Sequence, residues 1–307
     1  MQGDFSNLLI YAGFPKTASR WLLANLWDAP SSGFELVGSM DAVARDFILN
    51  NPFDFNPHEP RKCYGNLISA AVERGLIPVL HHEGISAQLF TPAPPDPRPF
   101  EQIKATFPGC RVIIAVREQR RMLLSWYTHN VKLGLGVPPT KYLTETAPGI
   151  TPFFRYDVFE YHKIVAYLYS LYGKDRVLVI PYEMLRADRD QYLATIYKFS
   201  GVERKNFSPV ESEVNVGLRP AETSMIAWLN KWFASDWPRP RPSSRLRNRL
   251  VRGTRYMCRF FPDGVDDRIK KHAEKAVEDA IQDRYQKSNR ALQELTGIKL
   301  SQYGYDL

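Results

Sequence analysis

The chain has 307 residues, 44% of them hydrophobic and 24% charged, which excludes a disordered polymer and allows a sizeable buried core. Lys and Arg number 41 against 33 Asp and Glu, a net charge of +8 that points to anionic partners: phosphates, sulfates, nucleic acid or an acidic membrane surface. Three scattered cysteines, Cys63, Cys110 and Cys258, make neither a disulfide framework nor a metal site. No run reaches the ~18 apolar residues of a membrane span, and no basic-then-apolar leader opens the chain. The expectation is a soluble cytoplasmic protein with no metal and no stable membrane insertion.

In chain order, four short apolar runs read as buried strands, at residues 8–12, 77–80, 111–116 and 176–180. Helical patterns follow three of them, at 19–26, 119–131 and 188–199, the last closed by Gly201. This alternation predicts an α/β fold of three layers, a central parallel sheet with helices on both faces, binding its ligand at the carboxyl ends of the strands. Proline-rich segments at 91–99 and 137–152 read as loop insertions. Residues 263–296 carry long helical periodicity with mixed charge, and the whole of 1–307 reads as a single domain with a helical C-terminal part, 263–307.

The first strand runs into Gly13-Phe14-Pro15-Lys16-Thr17-Ala18-Ser19-Arg20-Trp21. Unpaired N–H groups at such a helix start suit a phosphate, Lys16 adds a point charge, and Thr17 and Ser19 add hydroxyls. The Walker pattern G-x-x-x-x-G-K-[ST] is missing, because the lysine stands three residues after the glycine with no second glycine before it. The strand at 111–116 ends in Arg117, suited to a bidentate phosphate clamp, and Ser125 follows eight residues later on the next helix.

Together the two motifs resemble the sulfotransferases that use 3′-phosphoadenosine 5′-phosphosulfate (PAPS). Pro15 to Trp21 is similar to the family's P-K-[ST]-G-[ST]-x-W loop for the 5′-phosphosulfate, and Arg117 to Ser125 to its R-x-P-x-x-R-x-x-S motif for the 3′-phosphate. Ala18 stands where the family has glycine, and Gln119 where it has proline. Val179-Ile180-Pro181-Tyr182-Glu183-Met184-Leu185, and Ser288-Asn289-Arg290 with Tyr303-Gly304-Tyr305, also look like family segments.

The resemblance implies a P-loop-like sulfotransferase fold and PAPS as donor. The products would be adenosine 3′,5′-bisphosphate (PAP) and a sulfated glycan, glycolipid or small-molecule alcohol. It also implies roles. Lys16 would neutralise the leaving oxygen. Pro15, Lys16, Thr17, Ala18, Ser19, Arg20, Trp21, Arg117 and Ser125 would bind the nucleotide, with Trp21 or Trp126 available to stack on adenine. A base must take the acceptor proton. His81-His82-Glu83 follows the second strand, and Glu83 is the preferred candidate, with His82 the alternative. His81 reads as a core residue.

Residues 239–259 hold eight arginines and no acid. Three readings stay open: a solvated face, a surface for anionic lipid or nucleic acid, or a flap in which Arg252, beside Gly253, covers the 3′-phosphate. Two other functions fit parts of the pattern: a P-loop nucleotide kinase or NTPase, which the missing G-K-[ST] disfavours, and a basic nucleic-acid-binding protein, for which no recognition motif is present.

Overall fold

The computed structural model describes residues 5–87, 95–144, 155–205, 217–233, 245–258 and 260–307. Its strands are β1 (Leu9–Tyr11), β2 (Phe34–Leu36), β3 (Ile77–His81), β4 (Arg111–Val116) and β5 (Val177–Pro181). They form one parallel sheet in the order β2-β3-β1-β4-β5. The chain leaves β1 toward one edge, then crosses back to place β4 on its other side. The end of β1 is therefore the switch point, where a crevice opens between diverging connections.

The helices are α1 (Ser19–Leu22, continuing as a wider π turn over Leu23–Trp27), α2 (Met40–Phe47), α3 (His58–Glu73), α4 (Arg98–Thr106) and α5 (Gln119–Leu133). After them come α6 (Pro139–Thr144), α7 (Tyr161–Tyr172), α8 (Tyr182–Ala187), α9 (Arg189–Ser200), α10 (Pro220–Phe233), α11 (Arg245–Cys258), α12 (Asp263–Ile281) and α13 (Gln286–Thr296). Strand side chains alternate between two buried clusters. Leu8, Ile10, Val112, Ile114, Val177 and Val179 face one side, and Leu9, Tyr11, Ile113, Ala115 and Ile180 the other. A sheet buried on both faces needs uninterrupted apolar strands, which is why the four runs were readable.

Several boundaries move. The π turn replaces the end of the expected 19–26 helix. Within the expected 91–99 loop, Arg98 and Pro99 already belong to α4, because proline is tolerated in a first helical turn; residues 91–94 lie outside the described residues. Within 137–152, Pro139–Thr144 is helix rather than loop, and 145–152 lie outside the described residues. The C-terminal periodicity splits into two helices at Gln282, whose φ of 47° breaks the helix. Strand β2 is too short, with a charged central residue, to stand out as an apolar run. In the arginine-rich stretch 245–258 is helical, while 239–244 and Arg259 lie outside the described residues.

The C-terminal helices brace the end of β4. Helix α13 packs on α7, and α12 on α5, α6 and α10. Gln119, at the start of α5, donates to Asn289 of α13 at 2.7 Å and accepts from it at 3.3 Å. Asn289 also donates to the Asp306 carbonyl at 2.8 Å. Arg120 pairs with Glu278 and Asp306. Asn289→Ala would take from the buried Gln119 amide its 2.7 Å acceptor and its donor, leaving only the 3.3 Å bond to the Phe159 carbonyl, and would remove a donor from the Asp306 carbonyl, so we expect about 1–3 kcal/mol lower stability in denaturant titration. A loss below about 0.5 kcal/mol, the level of a neutral surface change, would refute this brace.

Candidate active site

The loop after β1 is anchored before it turns. Ala12 and Phe14 donate their N–H groups to the carbonyls of Ile113 and Ala115 on β4, each at 2.9 Å. Lys16 and Ala18 then adopt left-handed backbone, with φ of 67° and 65°. Left-handed residues at a strand-to-helix turn aim successive N–H groups into one concavity, an anion-binding nest. Helix α1 starts there with no side chain capping it, which leaves its first N–H groups for an anion.

The floor of the loop is Tyr11. A Cβ on Gly13 would lie 2.5 Å from the Tyr11 hydroxyl oxygen, so only glycine lets the chain pass over that ring. The ring is fully buried and stacks on His81 at 4.9 Å, with 1° between planes. Thr17 is fully buried as well. Its hydroxyl donates to the Phe14 carbonyl and lies 3.4 Å from the Tyr11 hydroxyl. The Thr17 side chain closes the loop from beneath, whereas the sequence suggested a hydroxyl turned to the anion. Pro15 is buried beside it, and Arg20 is exposed on the first turn of α1.

Ser19 points across the crevice and donates to Glu83 Oε2 at 2.7 Å. Glu83 opens a single 3₁₀ turn after β3, and because β3 ends level with β1, His81 opposite Tyr11, that turn lies beside the loop that follows β1. The preceding His82 accepts the Gly84 N–H on Nδ1 at 2.8 Å. Burial holds its pKa below the usual histidine value, against the pull of Glu83 and Asp41. His81 is a core residue, as expected. Burial, then the His82 charge, drives its pKa down to about 3, and its Nδ1 has no hydrogen-bond partner among the described residues.

Arg117 completes the crevice from the other side. Its guanidinium donates to the Lys16 carbonyl at 2.9 Å and lies 4.8 Å from the ring centre of Tyr182, at the end of β5. Its own carbonyl accepts from the Tyr161 hydroxyl at 2.8 Å. Glu118 caps α5 by accepting the N–H groups of Arg120 and Arg121, and gives its own N–H to Glu183 Oε1 at 3.0 Å. Burial pushes both carboxyl pKa values up.

Ser125 is half-buried on α5, and His129 and Lys132 follow at helical spacing on the same face. The Lys16 ammonium is held below the usual lysine range, first by burial, then by Lys132, Arg117 and Arg20, with Glu83 opposing. Burial and the charges of Lys16, Lys132 and Arg20 bring His129 down to about 4. The crevice thus gathers cations around Lys16, with Glu83 the carboxylate on its rim.

Sequence reading missed Lys132 and the tie of Glu118 to Glu183; the seven-residue step from Ser125 was the available signal for Lys132. Trp21 is half-buried, with the Arg189 guanidinium 5.7 Å from its ring centre. Trp126 sits in the core, edge-on to Phe159, and is not placed to stack on a ligand. Arg252 is exposed on α11, which packs on α10.

A model of the sulfotransferase family matches residues 15–206, from the loop through β5 and beyond α9. The chain belongs to the sulfotransferase family. It is a PAPS-dependent sulfotransferase, and its five-stranded parallel sheet flanked by helices is the P-loop-like sulfotransferase fold. Membership decides for sulfuryl transfer over the NTPase reading. No curated protein matches the chain.

Among solved structures, the chain is similar to a sulfotransferase from Alicyclobacillus acidocaldarius, at 18% identity and a TM-score of 0.49, over 74% of this chain and 96% of that one. It is also similar to the sulfotransferase domain of the Synechococcus PCC 7002 olefin synthase, at 13% identity and TM-score 0.41, over 83% and 94%. Mouse sulfotransferase SULT7A1 complexed with PAP matches at 15% identity and TM-score 0.37, over 89% and 90%.

The loop geometry of this sulfotransferase makes a two-sided prediction. Gly13→Ala forces a Cβ against a buried ring and should cost about 1–3 kcal/mol. Ala18→Gly relieves a left-handed residue that costs about 1–2 kcal/mol, less the added chain entropy of glycine. It should raise stability by roughly 0.5–1 kcal/mol. Urea titration of both variants checks the signs, and a destabilised Ala18→Gly would contradict the backbone described here.

Proposed function

We propose that this enzyme transfers the PAPS sulfuryl group to the hydroxyl of a glycan, glycolipid or small-molecule alcohol, with Glu83 as base and Lys16 at the leaving oxygen. The observation that carries the reading is the 2.7 Å hydrogen bond from Ser19 to Glu83, which joins the base to the phosphate loop itself. In-line transfer needs acceptor oxygen, sulfur and leaving oxygen on one axis, so base and loop must be neighbours.

The residues fit the donor. The nest from Lys16 to Ser19 suits the 5′-phosphate, and Arg117 with Ser125 the 3′-phosphate, while Trp21 lies at the loop's edge for the adenine. PAPS, when bound, supplies an activated sulfuryl group on a phosphate leaving group. Lys16, crowded by cations and partly desolvated, is strongly stabilised by a developing negative oxygen. Arg117 would contact the bound phosphate, and its bond to the Lys16 carbonyl holds the loop in shape.

The choice between the two bases rests on the tautomer. His82 Nδ1 accepts from Gly84, so in the neutral ring the proton sits on Nε2 and no free lone pair faces an acceptor hydroxyl. Glu83 keeps one carboxylate oxygen held by Ser19 and offers the other. This supports Glu83 over His82.

Glu83→Gln keeps the shape and the bond from Ser19 but removes the proton acceptor. With labelled PAPS and a panel of hydroxyl acceptors, it should lower turnover by ~10²-fold or more and leave PAP affinity by calorimetry unchanged. His82→Ala should stay active. The opposite outcome transfers the role to His82, and a wild-type protein that labels no hydroxyl acceptor overturns the proposal.

Lys132 offers a check on Lys16. Activity should fall as pH rises through the Lys16 pKa, because the neutral amine cannot stabilise the leaving oxygen. The Lys132 charge lowers that pKa, so Lys132→Ala should move the alkaline limb of kcat/KM to higher pH. An alkaline limb that stays put, or moves down, would show that Lys16 does not set it.

A further inference from the structure

Helices α10 and α11 carry an outer face that the nucleotide motifs do not use. On α10, Thr223, Ile226, Ala227 and Asn230 are buried, and Ser224, Trp228, Lys231 and Trp232 are exposed. Trp228 is 63% exposed and Trp232 68%, and their rings meet edge to face at 6.4 Å. On α11, Thr254 and Cys258 are buried, whereas Arg249, Arg252 and Tyr256 are exposed at steps of three and four, which places them on one face. Tyr256 is 62% exposed, Met257 52% and Phe260, just beyond the helix, 70%; Tyr256 and Phe260 also meet edge to face, at 5.3 Å.

The two helices lie side by side and antiparallel. Cys258, at the end of α11, touches Met225 in the first half of α10, and the Arg219 guanidinium donates to the Cys258 carbonyl at 2.9 Å. Among the described residues, both exposed tryptophans and the exposed tyrosine lie on this pair. No acidic residue occurs between 237 and 262. The nearby Asp266 is engaged inward: it pairs with Arg219 and accepts the Ala221 N–H.

Arginines with no acid interspersed call for an anionic partner, and large apolar rings call for one with an apolar interior. A bilayer with anionic headgroups has both. Indole and phenol rings settle at headgroup level, Met257 and Phe260 reach below it, and each basic side chain near the surface adds attraction. A nucleic acid would satisfy the arginines and stack some rings, but has no apolar layer for Met257. No helix among the described residues is long and apolar enough to cross a membrane, so the contact lies on the bilayer.

We propose that α10 and α11 form a docking surface that holds this enzyme on an anionic phospholipid bilayer. Asn230, on the buried face of α10, donates to the carbonyls of Val131 and Leu135 at 2.7 and 3.0 Å, at the end of α5. The docked face therefore stands one helix from α5, which carries Ser125.

The test is co-sedimentation of the full chain with vesicles of phosphatidylcholine alone, or with phosphatidylserine added. Binding to the anionic vesicles should be ~10-fold stronger or more, and should fall in high salt. W228A/W232A should weaken it by ~10-fold, with PAP affinity by calorimetry unchanged as the control for folding. R249E should weaken it by ~10-fold, and by more than R45E, an equal charge change on α2. Four results would overturn the proposal. One is equal binding to both vesicles, or to neither. Another is equal loss from R249E and R45E, which assigns the binding to net charge. A third is nucleic-acid binding that depends on this face while vesicle binding is absent. The last is a dimer in light scattering, abolished by W228A/W232A, with no vesicle binding.

Discussion

The Arg117 guanidinium reaches the Lys16 carbonyl across 2.9 Å, and with that contact two chain segments a hundred residues apart become one site. The contact exists because β1 and β4 are neighbours in a parallel sheet, and β4 runs three residues past Ile113, the partner of Tyr11, alongside the loop that follows β1. It has a second effect. A carbonyl held by a guanidinium is not free to rotate, which helps keep Lys16 in its left-handed conformation. Phosphate recognition by backbone N–H groups depends on that conformation, because in ordinary helical or extended backbone successive N–H groups do not converge. The interaction that pairs the two segments is therefore also the one that shapes the first of them.

Such a gathering of cations is unfavourable without its ligand, and the surrounding structure offsets the cost. Burial and repulsion hold the Lys16 ammonium below its usual range. Arg117 is steadied by the Tyr182 face and, through its carbonyl, by Tyr161. Behind it, Glu183 takes the Glu118 N–H, and the Tyr305 hydroxyl lies 3.4 Å from the other Glu183 oxygen. The segment Ser288–Arg290 and the tyrosines near the C-terminus matter here for a mechanical reason. Asn289 and Tyr305 hold the first turn of α5 and the start of α8, and these hold Arg117.

The crevice also separates two groups adjacent in sequence. His82 and Glu83 are both half-buried after the same strand, yet one binds backward to Gly84 and the other forward to Ser19. A histidine whose Nδ1 is an acceptor is a positioned donor at Nε2. A carboxylate held on one oxygen is a positioned acceptor on the other. The difference comes from a single 3₁₀ turn that lets Gly84 approach the ring, where a Cβ would sit 2.8 Å from the nearest ring carbon.

The sequence by itself determined the features that depend on local order along the chain. Apolar runs long enough to be buried on both faces marked four of the strands. The glycine, lysine and hydroxyl residues after β1 marked the loop, and the eight-residue step from Arg117 placed Ser125 on the next helix. Even the departure at Ala18 was readable as a missing glycine, and the backbone there is left-handed. What only tertiary structure decided are the partners. Thr17 turned inward because Tyr11 lies beneath it. The three-residue β2 formed because β3 offered an edge. Lys132 joined the site because α5 runs beside Lys16. Glu183 and Asn289 became supports of Arg117 from 66 and 172 positions away. Each of these depends on a group that the local pattern does not contain. A residue's type and spacing specify what it can bond, and the fold specifies which group stands within reach.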